Sequence, residues 1–115
     1  MKYIFLIAIL TIVFAALLPS RTADSKTSSM DAQNAAELYS KNCATCHGKD
    51  GHAKTLKGKL KHARDLTDAT WQDRVSDERL FNSIMNGKGK MPAFGKKISE
   101  QEADSLVAYV RGLKK

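Results

Sequence analysis

The chain has 115 residues, 19 of them lysine or arginine against 12 aspartate or glutamate, for a net charge of +7. That length leaves room for one small domain, and two cysteines cannot build a disulfide-dense scaffold. The basic excess is not a nucleic-acid footprint, because the lysines are not interleaved with aromatics and no binding motif accompanies them.

Met1-Lys2 is followed by an apolar run from Tyr3 to Leu18, broken only by Thr11. A short positive start and an apolar stretch too short for a spanning helix read as a signal peptide over residues 1–22. Small residues suit a cleavage after Thr22, with Ser20 at −3; an uncleaved anchor is the alternative. Export follows on either reading, to the periplasm or to the outer side of the cytoplasmic membrane. Residues 23–30 are small and polar and are expected to form a flexible linker. The remaining stretch, 31–115, is one domain. At about 85 residues it buries only roughly 60–65% of its unfolded surface, so an apolar cofactor would supply missing core.

Within that domain, Asp31 is placed to cap a first helix carrying Ala32, Ala35, Ala36 and Tyr39. The helix runs into Cys43-Ala44-Thr45-Cys46-His47. C-x-x-C-H is the attachment signal for a c-type haem. Positions three and four apart share one face of a helical turn. Cys43 and Cys46 can therefore add to the two haem vinyl groups while the imidazole of His47 reaches the iron. A Cys43–Cys46 disulfide would leave His47 unexplained, and a thioredoxin-like pair would need a βαβ pattern that is missing. A zinc site with His52 or His62 as fourth ligand stays open on counting alone.

Gly48 to Leu66 reads as a solvated loop rich in lysine and glycine, with His52 and His62 as surface histidines. A short helical turn from Thr70 would carry Trp71. A middle helix is expected from Ser76 to Asn86-Gly87, with Leu80, Ile84 and Phe81 inward. The last helix starts at a capping box, Ser99 with Glu102, stapled by Ile98 against Ala103. Its stripe is Ala103, Leu106, Val107, Val110 and Leu113. No period-2 pattern competes, so the fold class is all-α.

Between the last two helices lies Gly87-Lys88-Gly89-Lys90-Met91-Pro92-Ala93-Phe94-Gly95. Met85 belongs to a helix stripe and reads as core filler. Met91 sits in a polar loop with no stripe to join, and Pro92 biases it to an extended conformation. A thioether from Met91 would close the iron's coordination and raise its potential. Phe94 would cover the haem edge. This loop favours haem over zinc.

Together, Cys43-Ala44-Thr45-Cys46-His47-Gly48, the Met91-Pro92 loop, and a last helix with Leu106 and Tyr109 three apart resemble the small bacterial class I c-type cytochromes over residues 31–115. The resemblance implies the cytochrome c fold, with three main helices and short turns around one covalent haem c. It implies His47 and Met91 as ligands, Tyr39 facing Tyr109 where the first and last helices cross, and one-electron transfer. Trp71 or Arg64 would donate to a haem propionate, or Trp71 simply packs. The chain departs from the pattern in two places. Ala35 stands where a glycine is usual in the first helix. No proline lies between His47 and Met91 to offer the carbonyl that orients the histidine, so some other carbonyl must.

The functional expectation is an electron carrier, not an enzyme, shuttling between exported or membrane-bound redox proteins. Without residues 1–22 the chain keeps 17 basic against 12 acidic residues, or +5, since Lys2 and Arg21 are removed. Lys41, Lys49, Lys54, Lys88, Lys90 and Lys96 flank the haem motifs, so the expected partner is acidic. The protein is expected to be a monomer. Membrane contact is expected only through the N-terminal segment. The alternatives are a haem subunit of a larger oxidoreductase, or a sensor or peroxidase if the sixth iron position is open.

Overall fold

The computed structural model describes residues 25–115; the expected signal segment lies outside them. The described part is helical, with α1 Ser25–Asn42, α2 Ala44–His47, α3 Leu56–Lys61, α4 Ala69–Arg74, α5 Asp77–Asn86 and α6 Glu100–Gly112. Among the described residues there is no strand, only an isolated bridge between Lys88 and Met91. None of these helices is long and apolar enough to cross a membrane.

The start of α1 corrects one expectation. The helix begins at Ser25, so most of the stretch expected as a flexible linker is helical and Asp31 is an interior position rather than a cap. The physical reason lies in what is missing: no glycine or proline interrupts 25–42, so nothing stops the helix from propagating N-terminally. At its other end α1 nearly continues into α2, with the backbone N–H of Cys43 donating to Tyr39 O at 2.8 Å.

The later boundaries fall where local chemistry put them. The Ser76 and Ser99 side chains cap α5 and α6, and Glu102 completes the capping box at Ser99. Asp68 caps α4, the short helix that carries Trp71. The loop after the C-x-x-C-H turn holds an element the sequence reading lacked. α3 is capped by Thr55 and ends at His62, which adopts the left-handed conformation.

α6 packs on α1 and α5. Its buried stripe Ala103, Leu106, Val107 and Val110 meets Tyr39, Leu80, Ile84, Phe94 and Ile98 in one core. Tyr39 and Leu106 are its largest fully buried side chains, and truncating Leu106 to alanine would cost about 2–5 kcal/mol. The rings of Tyr39 and Tyr109 lie 4.8 Å apart, at the expected meeting of the first and last helices. Ala35 is accommodated there at 3% exposure, so its methyl is part of the packing.

Polar groups tie the smaller elements to this core. Buried Gln72 donates from Nε2 to the carbonyls of Leu66 (2.7 Å) and Val110 (2.8 Å). Arg111 on α6 donates to Gln72 O, Val75 O and Asp77 Oδ1, at 2.7, 2.6 and 2.7 Å. These bonds satisfy carbonyls that close the C-terminal end of α4 and hold α5 against α6.

Candidate haem site

The site is built at the junction of α1 and α2. Cys43 and Cys46 are free thiols, both half-buried. Before any attachment, burial foremost and then the neighbouring Cys46 push the Cys43 thiol up to about 11. The turn that carries them is braced from behind. Tyr39 donates its hydroxyl to Gly48 O at 2.8 Å inside the core. Burial foremost, then Cys43 and Tyr109, holds that phenol far above its ordinary range, so Tyr39 remains a donor.

His47 sits next on the turn. Its Nδ1 lies 2.9 Å from the carbonyl oxygen of Arg64. A carbonyl only accepts, so Nδ1 carries the proton and Nε2 is left with a lone pair. Burial lowers the His47 pKa and so favours the neutral imidazole, partly opposed by the Arg64 hydrogen bond. The carbonyl that the sequence could not assign is therefore that of Arg64, seventeen positions along. The Arg64 guanidinium lies over the half-buried ring of Trp71, 5.5 Å from its centroid. The two residues expected near a propionate are thus neighbours.

Met91 is held by main chain. Its N–H donates to Lys88 O at 2.9 Å and its carbonyl accepts from Lys88 N at 3.1 Å, closing a tight turn over Gly89 and Lys90. The next residues fold back on α5: Phe94 N donates to Ile84 O and Gly95 N to Met85 O, each at 3.0 Å. Gly87 makes room for this, since a Cβ there would fall 2.7 Å from Met91 O, and its φ of 77° suits no other residue. Met91 packs half-buried against the core. Pro92 is exposed, and Phe94 is a buried core residue with the Lys97 ammonium 5.9 Å from its ring centroid.

The other two histidines lie away from the attachment turn in the chain. His52 Nδ1 lies 3.0 Å from Thr67 Oγ1 and 3.2 Å from Asp65 Oδ2, and Thr67 donates to Asp65 Oδ1 at 2.7 Å. His62 caps α3. Among the described residues no three His, Cys, Asp or Glu side chains converge as a metal cage. Sequence reasoning missed the His52–Asp65–Thr67 cluster and Arg64 O, because both join residues more than twelve apart.

The residues fit a covalently held haem. Two unpaired thiols stand three apart, and the following imidazole offers Nε2 because Nδ1 is already bound. Around the core, Leu38, Cys43, Trp71, Val75, Phe81, Met85 and Met91 are only partly buried, the kind of apolar rim a flat ring would cover.

Residues 30–110 match the family model described as cytochrome C oxidase, cbb3-type, subunit III. The chain is 32% identical over 115 residues to cytochrome c6 of Nostoc sp., covering 97% of this chain and 94% of that one. It is 35% identical over 83 residues to the Cbb3-type cytochrome c oxidase subunit FixP of Azorhizobium caulinodans, where it spans only 27% of the longer protein. Among solved structures, the KustC0563 c-type cytochrome superposes with a TM-score of 0.66 at 40% identity, covering 70% of this chain and 98% of that one. The chain therefore belongs to the class I c-type cytochromes, all-α electron-transfer proteins carrying covalently bound haem c. Cys43 and Cys46 fit its attachment.

Proposed function

We propose that this cytochrome is a one-electron carrier with His47 and Met91 as the axial ligands of a haem joined through Cys43 and Cys46. The bound haem supplies a ferrous–ferric couple. The chain's part is to fix the ligands, cover the ring and present an edge to a partner. The observation that carries the reading is the main-chain clamp on Met91. Met91 is bonded to Lys88 through both its N–H and its carbonyl, and Phe94 and Gly95 just after it tie the loop to α5, so its half-buried side chain is held at one place against the core. That clamp fixes where the thioether sits, and Met/His ligation favours the reduced state. Tyr39 then braces the attachment turn from the core, and Trp71, Pro92 and Phe94 support the pocket.

In this reading the N-terminal segment exports the chain, so that the thiols meet haem outside the reducing cytosol. The carrier works as a monomer in the periplasm, or anchored at the outer face of the membrane, between redox proteins that present acid. The match to the cbb3-type subunit model favours a second reading, a haem subunit of a larger oxidoreductase. The ligands are the same in both.

Visible and near-infrared spectra of the purified holoprotein test the ligation. A weak sulfur-to-ferric-iron band that disappears in Met91→Ala is the expected result. Haem without that band, or carbon monoxide binding to the reduced protein at neutral pH, would sink His/Met closure and bring forward the sensor or peroxidase alternative.

A further inference from the structure

Helix α3 presents an unusual surface. Leu56 and Leu60 are 78% and 67% exposed, one turn apart on one face of a six-residue helix. Their exposure is not that of a loose segment. The Thr55 hydroxyl is shared between the carbonyls of Thr45 (2.8 Å) and Cys46 (3.0 Å) and accepts from Gly58 N at 2.9 Å. Gly58 lies so close to the attachment turn that a Cβ there would sit 2.1 Å from Cys46 O. On the other side, Lys90 Nζ reaches Leu60 O at 3.4 Å, linking α3 to the Met91 turn. The two leucines are thus held outward on a fixed helix, between the segment that carries the thiols and the one that carries the sixth ligand.

Along the chain between Asp50 and Asp65 the charge has one sign. Residues 51–64 contain no aspartate or glutamate but hold Lys54, Lys57, Lys59, Lys61 and Arg64, and the four lysines are exposed. None of the three ion pairs among the described residues uses those lysines. A fixed apolar pair inside an unneutralised basic rim has one complement, an apolar spot inside an acidic rim. We infer that α3 is the centre of the docking face, with Leu56 and Leu60 as its apolar contact and Lys54, Lys57, Lys59 and Lys61 as its rim, for an acidic redox protein. The inference rests on the carrier reading and adds to it where electrons leave the molecule. Two leucines on a six-residue helix give too little apolar area for a lipid surface, which favours a protein partner.

Electrodes make the test independent of the partner's identity. The full-length holoprotein is adsorbed on gold bearing carboxylate-terminated chains diluted with either hydroxyl- or methyl-terminated ones, and its voltammetric rate is followed against salt. Lys59→Glu should slow transfer about tenfold at low salt, while the equal charge change Arg79→Glu on α5 stays within about twofold. Leu56→Ser with Leu60→Ser should erase the preference for the methyl-containing layer and leave the haem spectrum unchanged. Equal effects of Lys59→Glu and Arg79→Glu, or a shifted haem spectrum in the leucine variant, would overturn the inference while the carrier reading stands. So would binding to phosphatidylglycerol vesicles that the leucine variant loses while its electrode behaviour stays wild-type. A wild-type protein without a reversible wave on any layer would overturn the carrier reading itself, and α3 docking with it.

Discussion

The imidazole of His47 donates its Nδ1 proton to the main-chain carbonyl of Arg64, 2.9 Å away. The acceptor is backbone, so the residue type at 64 is not what orients the imidazole. The Arg64 side chain does a separate job over Trp71. Arg64→Ala is therefore expected to keep the wild-type haem spectrum while lowering stability by about 0.5–1 kcal/mol, the worth of an exposed cation–π contact. Denaturant unfolding of the holoprotein beside its visible spectrum separates the two effects.

Gly87 adopts φ 77° and ψ 169°, a region open essentially to glycine alone. Gly87→Ala would add that strain, roughly 1–3 kcal/mol, and drive a methyl against Met91 O. The expected outcome is a folded, haem-bearing protein whose sulfur-to-iron band is weakened or lost. An unchanged band in Gly87→Ala would show that the turn's main-chain path does not set the position of the sulfur.

Tyr39→Phe removes one of two donors to Gly48 O, which keeps the Gly51 N–H at 3.2 Å. The expected loss is about 0.5–1.5 kcal/mol of stability, with the Tyr109 ring contact retained. Since Gly48 follows His47 directly, the far-visible spectrum should broaden as the turn loosens. Thermal unfolding monitored at the haem band reads both.

Asp65 is held well below the ordinary carboxylate value of 3.8, at about 2, chiefly by the hydrogen bond from Thr67 and then by the Thr67 amide and His52, against some desolvation. A carboxylate depressed in the fold stabilises it above the unfolded value. That contribution is lost as pH falls from about 4 toward 2. Asp65→Asn should therefore lower the melting temperature at neutral pH and flatten its decline across that acid window. Because the side chain is 42% exposed, solvent screening keeps the effect small.

Much of this molecule is written locally. The capping box at Ser99, the Ser76 cap and the stop at Gly87 are short-range chemistry, and the structure has them where the sequence places them. The C-x-x-C-H turn is likewise local. What could not be read joins distant residues or depends on packing. Arg64 O reaches His47 across seventeen positions, and only the fold says which carbonyl arrives. α3 escaped because its leucines face outward, so its apolar pattern does not mark a buried stripe, and its fixing contact is a glycine against a backbone oxygen. The early start of α1 was hidden by composition: small polar residues look like a linker, yet nothing among them forbids a helix.

The turn that carries Met91 has a consequence for how such a protein can change over time. Its path is set by amide-to-carbonyl bonds between Lys88 and Met91 and by the fold-back onto α5, and the side chains of Lys88 and Lys90 are exposed and lie outside those bonds. Mutation can thus rewrite the charge of this loop while leaving the methionine where it is. The loop's charge and the placement of its methionine, though adjacent in the chain, are separately heritable traits.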